Sequence, residues 1–423
     1  MTGTTRPDDQ RVVITGMGAI TPVGNTLAET WEALQSGRSG AGRITLLDPS
    51  PWDCQIAAEL KGFEPGRFLH VKELRRMSVS SQLAVIAADQ AIEDSHLDLD
   101  REDRDRVGVL LGSAGGSSLE ETERAVRQLM AESGRRLTPN QVLRLWPNMP
   151  SYFVAERHRL RGHNATICTA CAASTQAIGE AAEVIRRGAA EVMITGGTES
   201  IVSETVLAGF LAMRALATSY NQDPQRAMRP FDAAREGFIP AQGAAILILE
   251  SLDHARQRGR TPCAEILGYG VSNDAFHMIA PDPLGSGATL AMERALASSG
   301  ISADSVDYIN AHAASTPLGD LAETRAIKSV FGERSYQIPI NSTKSMIGHM
   351  MGATGAVEAA VCTMTIQHGI IHPTINYEVP DPECDLDYVP NCARKATVQV
   401  ALSNSFGLGG QNACLVLSKV ERE

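Results

Sequence analysis

Basic residues are the minority among the charged side chains. The chain has 38 lysines and arginines against 49 aspartates and glutamates, a formal net charge of −11. Because phosphate backbones are bound through concentrated Lys and Arg, this balance argues against general nucleic-acid binding. The sequence also lacks an apolar run of membrane-spanning length, and MTGTTRPDDQR at its start lacks the apolar core of a signal peptide. We expect a cytoplasmic protein without a nucleic-acid or membrane partner.

A regular cysteine framework is absent as well, although the chain contains eight cysteines. Scattered cysteines in a long chain fit free thiols in a reducing compartment. Cys168 and Cys171 form a C-x-x-C pair, which could indicate a redox or metal site. A structural zinc ion needs four ligands, however, and no second Cys or His pair with ligand spacing follows. We therefore predict no metal site.

A dinucleotide-binding fingerprint is the third missing feature. Gly16 and Gly18 follow a buried-strand pattern, but no third glycine stands at the required offset, and Pro22 interrupts the helix start. The first half offers apolar strands separated by helical patterns instead. These predict a largely parallel sheet covered by helices on both faces. The strand patterns lie near 11–24, 107–112, 165–168, 192–200 and 243–250, and helical patterns cover 25–37 and 72–95.

The order of these patterns begins again from about residue 263. Strand, loop, small-residue helix and glycine loop recur in the second half without detectable sequence identity. The 423 residues, 43% of them hydrophobic and 21% charged, are enough for two such units with a deep core. We predict a duplicated α/β fold whose halves, 1–258 and 259–423, face each other.

The stretch 164–188 carries the first candidate functional residue. A short β-prone run gives way to small residues with a helical period, and Gly188 is suited to end the helix. Cys171 stands where the helix should begin, so unpaired backbone N–H groups and the helix dipole are expected to favour its thiolate. The alternative is an inert, buried cysteine among alanines.

Three motifs of the second half place unusual residues at predicted strand ends, where α/β sheets normally present their chemistry. NAHAASTP contains His312, KSMIGH contains Lys344 and His349, and SNSFGLGG contains Phe406 in a glycine-rich run. Taken singly, each has a structural explanation as a hydrogen-bonded histidine, a helix turn or a bend. Their occurrence together with Cys171 favours a catalytic interpretation.

Together these motifs resemble those of the β-ketoacyl-acyl-carrier-protein synthases, and most of all the elongating branch with a Cys-His-His site. The likeness extends over roughly residues 11–419 and includes VVITGMGAITPVGN, MRPFD, DAFHM and HPTINYE. It implies a thiolase-like duplicated fold of five layers, α/β/α/β/α, that usually forms a homodimer. It also implies decarboxylative Claisen condensation with malonyl-carrier protein in fatty-acid or polyketide chain elongation.

The resemblance also implies a role for each motif residue. Cys171 would be the nucleophile that carries the acyl group. His312 and His349 would donate hydrogen bonds to the malonyl thioester as its enolate forms. The backbone N–H groups of Cys171 and Phe406 would form an oxyanion hole, and Phe406 would also gate the acyl pocket. Lys344, paired with Glu358, would hold the histidines in register, although a purely structural ion pair is an alternative.

Further residues are implied to support the site or bind the substrate. Asp320 and Glu323 would support the histidine loop. Residues implied to bind substrate are Thr316, Phe210, Met213, Gly407 and Gly409. The partner would be an acyl carrier protein, and because such proteins are acidic, a local basic patch should attract it. The candidates for this patch are Lys72, Arg75, Arg76, Arg135, Arg136 and Arg214. No cofactor is expected, since the phosphopantetheine arm enters as part of the substrate.

Two departures from the family pattern point to a specialised substrate. Ala313-Ala314 replaces a Gly-Thr pair, so one hydroxyl contact to the pantetheine arm is lost. Such a contact typically contributes about 0.5–1.5 kcal/mol to the free energy of binding. Gln242 stands where many relatives have Glu. The alternatives are a chain-length-factor-like partner in a ketosynthase heterodimer and a coenzyme A-dependent thiolase. The intact Cys-His-His set argues against the first, and the lack of a second cysteine in residues 403–410 argues against the second.

Overall fold

The strands predicted from the apolar runs form one mixed sheet in the computed structural model, which describes residues 6–131 and 137–420. The described strands are β1 Val12–Ile20, β2 Gly42–Arg43, β3 Ile56–Ala57, β4 Val107–Gly112, β5 Asn164–Ile167, β6 Val192–Ser200, β7 Gln242–Ser251, β8 Ala264–Asn273, β9 Tyr308–Asn310, β10 Ile340–Asn341, β11 Ile370–Ile371, β12 Arg394–Lys395, β13 Val400–Gly407 and β14 Gln411–Ser418. Ten of them form the mixed sheet, whereas β2 pairs with β3 and β11 pairs with β12 in two separate two-stranded sheets.

Helices connect most of these strands. They are α1 Leu27–Gln35, α2 Val71–Arg76, α3 Val79–Ser95, α4 Gly116–Ala131, α5 Pro139–Leu143, α6 Met149–His158, α7 Ala173–Arg186, α8 Glu204–Ala212, α9 Leu252–Gln257, α10 Ser286–Ser299, α11 Pro317–Phe331, α12 Lys344–Ile347 and α13 Thr354–His368. Within the described ranges, none of these helices combines the length and apolarity needed to cross a bilayer.

The two halves have the same strand order. The ten-stranded sheet runs β5-β4-β6-β7-β1 and continues β8-β14-β13-β9-β10. Each half contributes five strands, which can be numbered in chain order from one to five. From the outer edge of the sheet to the seam, the strand order in both halves is then three, two, four, five, one. The first strands of the halves, β1 and β8, pair antiparallel along the seam. The internal duplication expected from the sequence is therefore visible in the topology. The 258/259 boundary, which falls between α9 and β8, stays a prediction.

The prediction of a largely parallel sheet was wrong. Strand β4 is parallel to β5 and β6, and β9 is parallel to β10 and β13, but every pairing nearer the seam is antiparallel. In the second half the reason is local. Only Leu408, Gly409 and Gly410 separate β13 from β14, and a turn this short can join only antiparallel neighbours.

Helices α7 and α13 form the middle layer of the fold. They contact each other, and each also contacts strands from both halves. Helix α3 packs on the outside of β1 and β7, and α10 packs on the outside of β8 and β14. This is the five-layered arrangement that the resemblance implied. The middle helices can be enclosed in this way because their sequences are rich in small residues, and almost every residue of α13 is buried.

The predicted helix over 72–95 is two helices. Helix α2 ends at Arg76, Met77 is extended, and Ser78 caps α3 by accepting a hydrogen bond from the N–H of Ser81. A serine hydroxyl at this position competes with continued helix and favours a new N-terminus. As predicted, Gly188 follows α7 with a φ of +71°, the left-handed conformation that suits glycine.

Candidate active site

Cys171 is presented by a tight turn between β5 and α7. Ala170 has a φ of +48°, unusual for a residue with a Cβ, and residues 170–172 form a single 3-10 turn before α7 begins at Ala173. The thiol is buried. The sequence predicted that the helix begins at Cys171, whereas the α-helix begins two residues later, at Ala173. It did identify the turn and the direction in which the helix leaves it.

His349 contacts the sulfur directly. Helix α12 ends at Ile347, Gly348 adopts a φ of +68°, and the N–H of His349 donates to the carbonyl of Ile239 at 3.0 Å. These contacts orient the ring, with Nε2 3.0 Å from Sγ of Cys171 and Nδ1 3.0 Å from Oγ1 of Thr354. A residue of the second half thus completes the environment of the cysteine from the first.

His312 approaches from the loop after β9. The carboxylate of Glu323 accepts hydrogen bonds from the N–H groups of His312, at 2.8 Å, and Ala313, at 2.7 Å. The ring centroid of His312 lies 5.4 Å from that of His349, and their planes are nearly perpendicular at 81°. Each of Cys171, His312 and His349 offers a donor atom within 4.8 Å of those of the other two. The three side chains therefore converge, as the sequence interpretation required.

Lys344 and Glu358 form a fully buried ion pair beside these residues. Nζ of Lys344 lies 2.6 Å from Oε1 of Glu358, and neither side chain reaches solvent. Burial raises the pKa of the Glu358 carboxyl to about 7, and the ammonium group acts against that rise. The predicted pair is therefore present. Whether it also serves catalysis stays a prediction.

The environment keeps both imidazoles neutral. Burial lowers the pKa of His312 and of His349 well below the ordinary value, and the positive charge of Lys344 lowers both further. A neutral imidazole has one N–H donor and one acceptor nitrogen, so each ring can donate one hydrogen bond to a substrate oxygen. This agrees with the expectation of two neutral rings.

The expected stabilisation of the thiolate was wrong in its net direction. Burial raises the pKa of the Cys171 thiol to about 11, although Lys344 and the backbone N–H groups of Leu408 and Cys171 lower it. Desolvation disfavours the charged sulfur more than these groups favour it. The resting sulfur is therefore a thiol, and Nε2 of His349 is a possible proton acceptor at hydrogen-bond distance.

A cavity of about 340 Å³ reaches this site. Most of the residues predicted to bind substrate line it, namely Phe210, Met213, Thr316 and Gly407, together with Phe406 and Glu323. The hydroxyl of Thr316 caps α11 by accepting from the N–H of Gly319, which leaves its own hydrogen free to donate. Gly409 is not part of the lining, and its N–H donates to the carbonyl of Met278. Asp320 lies behind the lining and accepts from the N–H of Thr316 at 3.2 Å.

Four residues near the sulfur were missed in the sequence analysis. Sδ of Met351 lies 3.9 Å from Sγ of Cys171, and Leu408 packs on the same apolar cluster as the cysteine. The ring of Phe238 meets His349 edge-on, and Thr354 bonds its Nδ1. Thr354 and Met351 follow His349 closely in the sequence, so their short distance from the histidine motif could have indicated them.

Phe406 also lies at the site, with its ring 5.9 Å from that of His312. Its predicted role as a gate over the acyl pocket stays a prediction.

The predicted carrier-docking residues occupy different environments. Lys72, Arg75 and Arg76 are all exposed on α2, and Arg76 is also paired with Glu156 at 2.9 Å. Arg214 is exposed at the rim of the cavity. The remaining two candidates, Arg135 and Arg136, lie outside the described residues.

Comparison with known proteins identifies the family. Residues 9–255 match the family described as Beta-ketoacyl synthase, N-terminal domain, and residues 263–378 match Beta-ketoacyl synthase, C-terminal domain. The chain belongs to the β-ketoacyl synthase family. As a β-ketoacyl synthase it is a condensing acyltransferase, in agreement with the function expected from its motifs.

The relatives match over nearly their whole length. The 3-oxoacyl-[acyl-carrier-protein] synthase 2 of Staphylococcus aureus (strain COL) is 45% identical over 98% of this chain and 99% of its own. Among solved structures, the ishigamide ketosynthase/chain length factor superposes with a TM-score of 0.91 at 35% identity, covering 97% of this chain and 99% of that one. A ketosynthase solved with its type II PKS acyl-carrier protein gives 0.89 at 32% identity, with coverages of 97% and 99%.

The first prediction concerns the charge state of the histidines. An NMR titration of ¹⁵N-histidine-labelled protein should show His312 and His349 still neutral at pH 6, because their pKa values are lowered. His254 is the internal control, since its hydrogen bond to Glu250 raises its pKa above the ordinary value. It should therefore gain its proton at a higher pH than the other two. A midpoint at or above about pH 6.5 for His349 would contradict the argument.

The second prediction concerns the buried ion pair. Glu358→Leu leaves the ammonium of Lys344 buried without its partner and should lower the free energy of unfolding by about 3–5 kcal/mol. Adding Lys344→Met should restore most of that loss. Glu64→Leu is the matched control, because Glu64 pairs with Arg67 at the surface, where a change under about 1 kcal/mol is expected. Equal effects of the two single substitutions in denaturant titrations would refute the prediction.

Proposed function

We propose that Cys171 takes an acyl group from a carrier-protein thioester and that His312 and His349 then promote its condensation with a malonyl thioester. The observation that carries this proposal is the 3.0 Å contact between Cys171 and His349, with His312 beside them in one cavity. The sulfur attacks the thioester carbonyl, and the bond to the carrier's sulfur breaks. One thioester replaces another, so the acyl group is held while the carrier departs.

The second half of the reaction uses the two imidazoles together. Each neutral ring donates one hydrogen bond to the thioester oxygen of the malonyl group, where negative charge develops as carbon dioxide leaves. The resulting carbanion attacks the acyl carbonyl, the bond to Sγ of Cys171 breaks, and the β-ketoacyl chain remains on the carrier. Buried Lys344 opposes protonation of the rings, which keeps both available as neutral donors.

We propose that this reaction needs no metal or redox cofactor. The thioester and the carboxylate lost as carbon dioxide supply the driving force, and the pantetheine arm arrives with the substrate. Cys171, His312 and His349 are also three side chains close enough to share a metal ion, and the proposed chemistry uses all three in other roles.

The partner we propose is an acidic acyl carrier protein. Support comes from exposed Arg214 at the cavity rim, from exposed Lys72 and Arg75, and from the related ketosynthase solved with its carrier. The cavity offers the pantetheine arm the hydroxyl of Thr316, whereas Ala314 presents only a methyl group. Because Ala314 cannot hydrogen-bond to the pantetheine arm, we expect the acyl chain to contribute more of the substrate's binding energy than the arm does.

Two other functions are less well supported. A subunit that had lost activity would not need Cys171, His312 and His349 assembled at hydrogen-bond distances. A thiolase would need a second cysteine at the reacting carbon. Within the described ranges Cys171 is the one cysteine lining the cavity, and Cys414 is buried on β14.

The direct test incubates the protein with acyl-carrier and malonyl-carrier thioesters and measures product and acyl-enzyme by mass spectrometry. Cys171→Ala should abolish the acyl adduct. His312→Ala should retain acylation but lower condensation by roughly 10²–10³-fold, the range typical of losing one oxyanion donor. Cys392→Ala and His368→Ala alter exposed residues and serve as controls. Unchanged condensation by His312→Ala would show that the assigned roles are wrong.

We also propose that the chain pairs with a second copy through the edge of β5. This strand is the outer edge of the first half, and α6 packs on it. Exposed apolar side chains are concentrated on and around α4 to α6: Leu119, Val126, Val142, Leu143, Trp146 and Tyr152. An open strand edge beside apolar surface is typical of an interface. Pairing with a related subunit is the alternative, in line with the chain length factor of one relative.

Sedimentation analysis of the purified chain tests this arrangement. The mass should be twice the 45.2 kDa of one chain. Trp146→Glu should shift the equilibrium toward the single chain, because it places a charge in the apolar surface. Leu46→Glu, at a residue equally exposed but outside α4 to α6, is the matched control and should leave the dimer intact. A single-chain mass for the unaltered protein would favour a different partner subunit.

A further inference from the structure

The contact of His349 on the side away from the sulfur is made by a hydroxyl group. Nδ1 of His349 lies 3.0 Å from Oγ1 of Thr354, the first residue of α13, and both side chains are buried. Within the described part of the chain, Oγ1 of Thr354 has no other hydrogen-bond partner. The hydroxyl therefore bonds to the histidine alone, and rotation about its C–O bond can turn its hydrogen toward Nδ1 or away from it.

This partner differs from the backbone groups that often hold a histidine. A carbonyl oxygen only accepts and would keep the proton on Nδ1, whereas an amide N–H only donates and would keep it on Nε2. A threonine hydroxyl does both, so it can accept from Nδ1–H or donate to a bare Nδ1. It supports either neutral tautomer without movement of the ring.

We propose that Thr354 is a positioning residue that lets His349 work as its Nδ1–H tautomer during acylation and as its Nε2–H tautomer during condensation. The inference rests on the proposed function, and it explains how one ring can contact the thiol in the first half-reaction and the malonyl oxygen in the second.

In acylation the bare Nε2 faces the thiol. As Sγ of Cys171 bonds to the acyl carbonyl carbon and the bond to the carrier's sulfur breaks, the thiol proton passes through Nε2 to the departing sulfur. The products are an acyl-cysteine and a carrier thiol, and the ring ends as it began. Throughout this step Nδ1–H donates to Thr354, which holds the ring at the sulfur.

In condensation Nε2 must carry a hydrogen. The acylated sulfur no longer offers a proton, so the ring exchanges one through water, Nδ1 becomes bare, and Thr354 donates to it. Nε2–H then stabilises the enolate oxygen as carbon dioxide leaves. When the new carbon–carbon bond displaces Sγ, the thiolate takes the Nε2 proton and Nδ1 gains one from solvent, which restores the starting tautomer.

The surroundings make tautomer exchange preferable to lasting protonation. Lys344 opposes a positive charge on the ring, and the ring of Phe238 covers it edge-on at 5.2 Å. An imidazolium formed as the ring takes the thiol proton, and retained until condensation, could donate there without a switch, but this site disfavours it. The neutral ring must therefore move its single proton between the two half-reactions.

The test compares Thr354→Val, which keeps the shape and removes the hydroxyl, with Thr354→Ser, which keeps the hydroxyl. Single-turnover acylation and condensation are measured separately with acyl- and malonyl-carrier thioesters. Thr354→Val should slow both by roughly three- to tenfold, as expected for one lost hydrogen bond. Thr354→Ser should keep both within about twofold of the unaltered protein. Thr363→Val is the matched control, because Thr363 is buried on the same helix and donates only to the carbonyl of Ala359.

A spectroscopic readout separates positioning from a structural role. The ¹⁵N shifts of His349, assigned with His349→Gln, should report mainly the Nδ1–H tautomer in the free protein and mainly the Nε2–H tautomer after acylation of Cys171. The same tautomer in both states, or Thr354→Val rates matching those of the control, would overturn the inference. If the unaltered protein makes no β-ketoacyl product, the proposed function fails instead, whatever Thr354 does.

Discussion

The 3.0 Å contact between the sulfur of Cys171 and Nε2 of His349 is the constraint on which the site depends. The two residues are far apart in sequence and belong to different halves of the fold. They meet because the halves join at β1 and β8, and because α7 and α13 lie side by side between the sheet regions. Each residue stands at the turn before one of these helices. The packing of the middle layer therefore fixes the distance between the sulfur and the imidazole.

Burial gives this contact its chemical character. The same desolvation that raises the pKa of the thiol lowers the pKa of both imidazoles, so the resting site contains a thiol and two neutral rings. The positive charge of Lys344 lowers all three pKa values, and the carboxylate of Glu358 partly offsets that charge. The proposed reaction develops negative charge beside these two neutral donors, and fixed donors act most strongly in a buried site that excludes water.

The sequence was informative wherever a residue type is tied to one local geometry. Apolar runs predicted most of the central strands, Gly188 predicted a helix end, and the motifs around Cys171, His312 and His349 predicted a shared site. Patterns within single segments could not show strand direction, which is decided by neighbours distant in the chain, and so the sheet was expected to be largely parallel. The helix dipole likewise predicted a thiolate, because the opposing term, burial, exists only once the chain has folded.

A structure of the protein acylated on Cys171 and bound to a non-decarboxylating malonyl-pantetheine analogue would test the central claim most directly. Imidazole nitrogens of His312 and His349 should both lie within about 3.2 Å of the malonyl thioester oxygen, at hydrogen-bond distance. The acyl carbonyl carbon should face the malonyl carbon across the same cavity. An oxygen held by neither imidazole would contradict the account.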